Sequence, residues 1–132
     1  MKYLLDTHTL IWTILESSKL SLKAADAISD KKNQIYVSSI TFWEICIKMG
    51  CGKLVLGSLK SENLPKICTN WGFQLLALTP DQASTFQQIT AKHHKDPFDR
   101  MLIWQSMCHD LIFITDDKNI GKYKSDGLQV AW

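Results

Sequence analysis

Long apolar runs and a strong charge of one sign are both missing from this 132-residue chain. Because no hydrophobic stretch is long enough for a signal sequence or a membrane span, we expect a cytoplasmic protein with no membrane contact. The 15 Lys and Arg residues nearly balance 13 Asp and Glu, which gives a formal charge of +2. This balance does not by itself indicate a nucleic-acid-binding protein, and it excludes none, since local clustering of charge sets the field.

Cysteine and histidine also lack the spacing of a soft-metal site. The four cysteines form no C-x-x-C pair, and no two histidines stand four residues apart on a helix. In a reducing compartment, scattered cysteines are typically small buried hydrophobic residues, and we expect that here. The residues concerned are Cys46, Cys51, Cys68, Cys108, His8, His93, His94 and His109.

Apolar segments with the period of strands alternate with segments that have the period of helices. The predicted strands cover residues 2–5, 35–38, 73–78, 111–114 and 128–131. The predicted helices cover residues 8–15, 22–28, 41–49, 62–71, 79–91 and 118–123, with one more that opens at Asp96. This alternation predicts one α/β domain over residues 1–132, with a central, mostly parallel sheet and helices on both faces.

Carboxylates stand where several of these strands end. Asp6 ends the first strand, Glu44 lies in the first turn after the second, and Asp117 follows the strand that ends near Ile114. Asp99 opens a helix that could lean over the same edge. Because ligands bind beyond the carboxyl ends of the strands in an open parallel sheet, we expect these acids to converge there.

Each acid taken alone also fits an ordinary helix cap, because Asp and the Glu of a capping box accept hydrogen bonds at helix N-termini. The macrodipole favours negative charge there as well. The possible caps are Asp6 on the helix near residue 8, Glu44 with Thr41, Asp99 with Asp96, and Asp116 or Asp117 on the last helix.

Taken together, the acids favour a different explanation. Several ionised carboxylates in close contact repel one another and raise their pKa values, and a divalent cation removes that penalty. Ligands that offer only oxygen favour magnesium (Mg²⁺) or Mn²⁺ over zinc. A site of this kind activates water and clamps a phosphodiester, so the pattern indicates metal-dependent phosphoryl chemistry.

Five sequence blocks in order along the chain resemble those of PIN-domain ribonucleases. The resemblance is closest to the VapC-type toxins of bacterial toxin–antitoxin pairs, and it extends from Tyr3 to about Tyr123. It implies an Mg²⁺- or Mn²⁺-dependent endoribonuclease, a hydrolase that cuts RNA with metal-activated water. It also implies a type II toxin with a cognate antitoxin protein as partner, and we expect a homodimer. The blocks are LLDTH at 4–8, VSSITFWEI at 37–45, KMGCGKL at 48–54, DPFDRMLI at 96–103 and ITDD at 114–117.

The resemblance also implies roles for single residues. By motif position, the catalytic and metal-binding acids are Asp6, Glu44, Asp99 and Asp117. Asp99 is preferred to its neighbour at position 96 because it directly precedes the apolar helical run. Asp116 occupies a variable position of the motif.

Residues around these acids have supporting or substrate-binding roles in this interpretation. Asp96 caps its helix or supports the site, and the hydroxyls of Thr7 and Thr115 hold a carboxylate or a metal-bound water. Arg100 either contacts the substrate phosphate or pairs with a nearby carboxylate, and we favour the pairing. The candidates for an RNA-facing rim, although a charge run is often simply solvated, are Lys48, Lys53, Lys92, His93, His94 and Lys95.

Two other functions remain open at this point. The chain could be a catalytically weak PIN-fold module that binds a partner protein, with its acids kept for structure. It could also be a small phosphatase that uses Asp6 as a nucleophile, but that chemistry would require a second Asp two residues later, where this chain has His8.

Overall fold

Five short strands form one parallel sheet in the computed structural model, which describes residues 1–132. The strands are β1 (Lys2–Leu5), β2 (Gln34–Ser38), β3 (Gln74–Leu76), β4 (Ile112–Ile114) and β5 (Gln129–Ala131). Their order across the sheet is β3-β2-β1-β4-β5, and all four neighbouring pairs are parallel. The prediction of a parallel sheet is therefore confirmed.

Seven α-helices connect and cover these strands. They are α1 (Thr7–Leu15), α2 (Leu22–Ser29), α3 (Ser39–Gly50), α4 (Leu64–Asn70), α5 (Pro80–Thr85), α6 (Pro97–Cys108) and α7 (Lys118–Gly121). Alternate side chains of a strand point to opposite faces, so β1 supplies both cores. Leu5 packs in a cluster with residues of α1, α2, α3 and α4, whereas Leu4 packs in a second cluster with residues of α3, α6 and α7. Helices on both faces are therefore also confirmed.

The strand order places a topological switch point between β1 and β4. From β1 the chain proceeds to β2 and β3 on one side, and it then crosses to β4 and β5 on the other. Connections leave the carboxyl ends of β1 and β4 in opposite directions, which opens a crevice at that edge. Asp6 and Thr115, the residues directly after Leu5 and Ile114, stand at this crevice.

Several predicted helix and strand ends are wrong. The helix expected over 79–91 ends at Thr85 and continues only as a 3₁₀ turn, Phe86–Gln88. The backbone is extended at Ile89, and the Ile89 carbonyl accepts a hydrogen bond from the Arg100 guanidinium at 2.9 Å. The helix expected over 62–71 begins with a 3₁₀ turn, and α4 starts next to Pro65, which fits only the first turn of a helix. The third strand, expected over 73–78, is shorter.

The expectation of buried cysteines holds for Cys68 alone. Cys46, Cys51 and Cys108 are exposed, because the turn of α3 and α6 places them on the solvent side or at the helix end. None of the helices combines the length and the apolarity that crossing a lipid bilayer requires.

Candidate active site

Asp6 joins the ends of the two central strands. Its Oδ1 accepts the Thr9 amide at 2.6 Å, so Asp6 does cap α1. Its Oδ2 accepts the hydroxyl proton of Thr115 from the end of β4. Burial raises the pKa of the Asp6 carboxyl, and the hydrogen bonds from Thr115 and Thr9 offset only part of that effect. The Asp6 side chain therefore caps α1 and also lies at the edge of the sheet beside β4.

Glu44 lies inside α3 and does not cap it. The predicted capping box with Thr41 is wrong, because α3 begins at Ser39 and the Ser38 hydroxyl accepts the Ile40 amide at 3.0 Å. The Glu44 side chain is only 2% exposed. Its Oε1 accepts the Thr7 hydroxyl at 2.6 Å, which orients the carboxylate beside the end of β1.

Lys48 pairs with Glu44, and a contact between Lys48 and RNA stays a prediction. Its ammonium group, one turn along α3, forms an ion pair with the other oxygen of Glu44. Burial acts to lower the pKa of Lys48, but the hydrogen bond and charge of Glu44 outweigh it and raise the pKa. Asp96 and Asp99 act in the same direction. The acids of α3 and α6 therefore share one electrostatic environment.

Asp96 and Asp99 divide two tasks at the start of α6. The Asp96 Oδ1 accepts the amides of Phe98 at 2.8 Å and Asp99 at 3.2 Å, as expected of a cap. Asp99 does not close a reciprocal box, because the Asp96 amide donates to His94 Nδ1 at 3.1 Å. The Asp99 carboxylate is thus left free of backbone partners and is available to the site.

The environment of Asp99 opposes its ionisation. Burial, followed by the negative charges of Asp96 and Glu44, raises its pKa to about 7. The charge of His94 acts in the opposite direction, and Asp6 adds a smaller increase. Charges on Asp6, on Glu44 of α3 and on Asp96 therefore all act on the Asp99 carboxyl.

The carboxylates of Asp117 and Asp99 both lie beside the imidazole of His94. Its Oδ1 accepts the Asn119 amide at 2.8 Å, so Asp117 caps α7. Its Oδ2 lies 3.0 Å from His94 Nε2, and the same nitrogen lies 3.2 Å from Asp99 Oδ2. From the sequence, His94 was expected only among the candidates for an RNA-facing rim. Its position two residues before the Asp96 cap is the one local signal that could have indicated otherwise.

Other predicted residues make no ion pair with the acids. Arg100 forms no ion pair with a carboxylate, so the favoured pairing is wrong. Its guanidinium donates to the Ile89 carbonyl at 2.9 Å and lies over the Phe86 ring at 5.0 Å. A helix turns by about 100° per residue, so Arg100 faces a different neighbour from Asp99. The exposed residues Lys53, Lys92, Lys95 and Asp116 make no ion pair, and an RNA contact by these lysines stays a prediction.

Comparison with known proteins identifies the family. The family model of the PIN domain matches residues 3–125. This chain belongs to the PIN domain family. The family resemblance noted from the sequence is thereby confirmed, and the fold is that of a PIN domain.

Relatives of this PIN domain match it over nearly the whole length. Ribonuclease VapC22 of Mycobacterium tuberculosis is 22% identical over 129 residues, which cover 98% of this chain and 97% of the relative. The crystal structure of VapBC2 from Rickettsia felis, bound to a DNA fragment from their promoter, matches with 16% identity and a TM-score of 0.69. That match covers 100% of this chain and 99% of the other. DNA-bound VapBC from Salmonella typhimurium matches with 19% identity, 99% and 97% coverage, and a TM-score of 0.67.

The side chains of this PIN domain are chemically suited to a divalent cation. The carboxylates of Asp6, Glu44, Asp99 and Asp117 come from four separate segments, and a cation would offset the burial and the neighbouring charges that raise the pKa of Asp99. One ligand atom from each of His94, Asp99 and Asp117 lies within 4.8 Å of the others. Carboxylate oxygens of this kind fit a hard cation such as Mg²⁺ or Mn²⁺.

Proposed function

We propose that this PIN domain is an Mg²⁺- or Mn²⁺-dependent endoribonuclease and the toxin of a type II toxin–antitoxin system. One observation carries the proposal. Carboxylates that are far apart in sequence come to the switch point of a parallel sheet, where burial, followed by the charges of Asp96 and Glu44, raises the pKa of Asp99 to about 7. The resemblance to a named ribonuclease over 98% of the chain supports the same activity.

In this proposal the four acids Asp6, Glu44, Asp99 and Asp117 hold the cation. When bound, the cation would supply a Lewis acid for the phosphodiester and would lower the pKa of water. The protein's own contribution is orientation. The Thr115 hydroxyl fixes Asp6, and the Thr7 hydroxyl with the Lys48 ammonium fixes Glu44, so that these carboxylates need little rearrangement.

The substrate in this proposal is RNA, held by positive charge around the acidic crevice. Lys53, Lys92 and Lys95 are exposed and free of ion pairs, so their ammonium groups are available to phosphate oxygens. Lys48 is already paired with Glu44 and is assigned to the site itself. Each exposed lysine that contacts phosphate adds to the salt dependence of RNA binding.

We further propose that the chain binds an antitoxin protein and forms a homodimer. The solved relatives are complexes named VapBC, and this chain carries large apolar side chains that are open to a partner. Trp43 is 57% exposed and Ile47 is 42% exposed on α3, close in sequence to Glu44. Exposed apolar residues next to a site are suited to the buried centre of a protein interface.

Cleavage of RNA by the purified chain tests the enzymatic role. We expect cleavage with Mg²⁺ or Mn²⁺, none with EDTA, and loss of cleavage in Asp6→Asn and Asp99→Asn, because each change removes a charge from the cation site. Asp116→Asn is the matched control, since Asp116 is an exposed acid in the same motif as Asp117. Growth arrest on expression should likewise be lost in Asp6→Asn and Asp99→Asn and kept in Asp116→Asn.

Two outcomes would contradict this proposal. Undiminished cleavage by the Asp6→Asn/Asp99→Asn double variant would exclude the acids as the catalytic centre. A chain that binds an antitoxin but neither cleaves RNA nor binds Mn²⁺ would be the protein-interaction module considered above.

A further inference from the structure

His94 lies between two of the proposed metal ligands, and none of the sequence motifs assigns it a task. Its Nε2 is 3.0 Å from Asp117 Oδ2 and 3.2 Å from Asp99 Oδ2. We propose that His94 is a positioning residue whose Nε2–H holds these two carboxylates together at the spacing that a cation requires. The inference rests on the proposed function, because it concerns the same acids.

The backbone of the loop decides which nitrogen of His94 carries the proton. The Asp96 amide donates to Nδ1 at 3.1 Å, so Nδ1 must present a lone pair. A neutral imidazole with a bare Nδ1 has its proton on Nε2. Nε2 therefore donates its proton to Asp117 Oδ2, with Asp99 Oδ2 in ion-pair range at 3.2 Å, and it has no lone pair for a metal. His94 is thus a hydrogen-bond donor to the ligands and not itself a ligand.

A buried tyrosine fixes the loop that carries His94. The His94 backbone amide donates to the Tyr123 hydroxyl oxygen at 3.2 Å, and that hydroxyl donates to the Ala91 carbonyl at 3.1 Å. Tyr123 is fully buried. One side chain thus ties both ends of residues 91–94 to the 3₁₀ turn Lys122–Asp126, which directly follows α7. The imidazole is held from the same segment that carries Asp117.

The hydrogen bond leaves the carboxylates able to bind a cation. Each carboxylate offers about four acceptor directions, and the Nε2–H occupies only one of them. Asp117 uses another for the Asn119 amide, while no backbone amide occupies Asp99. Without the imidazole, two like charges would face each other directly, and side chains in partial contact with water would move apart. Metal binding would then have to bring them back together.

The neighbouring histidine is a matched control. His93 lies one residue earlier and is more exposed, with its Nε2 3.2 Å from Asp126 Oδ2. Its ring packs edge-on against Tyr123 with the centroids 4.8 Å apart. It contacts none of the four acids. A change at His93 therefore tests for general effects of removing an imidazole from this loop.

The tautomer is measured directly by two-bond ¹H–¹⁵N correlation spectra of the ¹⁵N-histidine-labelled chain at about pH 8, where an unperturbed imidazole is neutral. His94→Gln and His93→Gln assign the signals. We expect His94 to show a bare Nδ1 and a protonated Nε2, and to keep this pattern when Mg²⁺ is added. The opposite tautomer, a doubly protonated ring, or loss of the Nε2 proton on addition of Mg²⁺ would overturn the proposal.

Mn²⁺ affinity, measured by titration with detection of free Mn²⁺ by electron paramagnetic resonance, tests the consequence. Loss of a group that orients a metal ligand typically lowers metal affinity about 10–100-fold, so we expect His94→Ala to weaken Mn²⁺ binding by at least about 10-fold. His94→Gln, which keeps an N–H donor, should lose less, and His93→Ala should match the unaltered chain. Tyr123→Phe removes both loop hydrogen bonds and should fall between His94→Ala and the unaltered chain.

The outcomes separate the two proposals. Mn²⁺ binding with equal affinity in His94→Ala and the unaltered chain overturns the positioning role and leaves the proposed function intact. Absence of Mn²⁺ binding in the unaltered chain overturns the proposed function and, with it, this inference. Far-ultraviolet circular dichroism of each variant in EDTA checks folding, and an unfolded His94→Ala leaves His94→Gln as the deciding comparison.

Discussion

Replacing Asp99 by Asn should make the metal-free protein more stable while it removes metal binding. The pKa of this carboxyl rises from 3.8 to about 7 on folding. The folded state therefore binds more protons than the unfolded state between about pH 4 and pH 7, and stability falls as the pH rises through that range. Above about pH 7 the loss of stability caused by the ionised carboxylate no longer changes with pH. At about 1.36 kcal/mol per pKa unit, it reaches about 4 kcal/mol.

Contact with water reduces this penalty, since the Asp99 side chain is 20% exposed. We therefore expect Asp99→Asn to raise the free energy of unfolding by about 2–4 kcal/mol at about pH 8 in EDTA. Near pH 4 the carboxyl is protonated in the folded state and close to its own pKa of 3.8 in the unfolded state, so the gain should largely vanish. Urea denaturation followed by circular dichroism at the two pH values measures the difference.

The matched control is Asp116→Asn, which removes an exposed acid and should change stability by less than about 0.5 kcal/mol. Saturating Mg²⁺ should stabilise the unaltered chain at about pH 8 but have little effect on Asp99→Asn. The reasoning would be refuted if Asp99→Asn were no more stable than the unaltered chain in EDTA at about pH 8. A gain of equal size near pH 4 would refute it as well, because the cause could not then be ionisation.

Two further substitutions distinguish a residue that affects metal binding from one that affects only folding stability. Thr115→Val removes the hydroxyl that donates to Asp6, and we expect Mn²⁺ affinity to fall about 10-fold in a calorimetric titration. An unchanged affinity would show that Asp6 does not need this hydrogen bond. Arg100→Met leaves the Ile89 carbonyl without its donor and should lower the free energy of unfolding by about 1–3 kcal/mol. The Mn²⁺ affinity of Arg100→Met should stay the same. A large loss of affinity would show that Arg100 does contribute to the metal site.

The sheet and its first acid were predictable because their signals are local. Short apolar runs that end at a charged residue indicate buried strands, and Asp6 stands directly at such an end. The distinction between Asp96 as a cap and Asp99 as a free acid was expected from the capping preference of Asp together with the family resemblance, and the hydrogen bonds of Asp96 agree with its role as a cap. Both features depend on residues within a few positions of each other.

The remaining features depend on contacts between distant residues. Thr41 was expected to cap α3, but the Ser38 hydroxyl, which also donates to Gln105 of α6, caps it instead. Glu44 was therefore assigned to the wrong turn. His94 gains its task only when the chain brings Asp117 to its ring and Tyr123 to its backbone. No local pattern records such partners.

The origin of the oxygen atom added to the cleaved RNA tests the central claim most directly. Purified chain, RNA and Mg²⁺ are incubated in water enriched in ¹⁸O, and the new ends are analysed by mass spectrometry. Hydrolysis by water at the four-acid site predicts one ¹⁸O atom in each new terminal phosphate, no 2′,3′-cyclic phosphate and no product in EDTA. Cleavage that persists in EDTA, or that leaves a 2′,3′-cyclic phosphate, would contradict a metal-dependent hydrolysis by these acids.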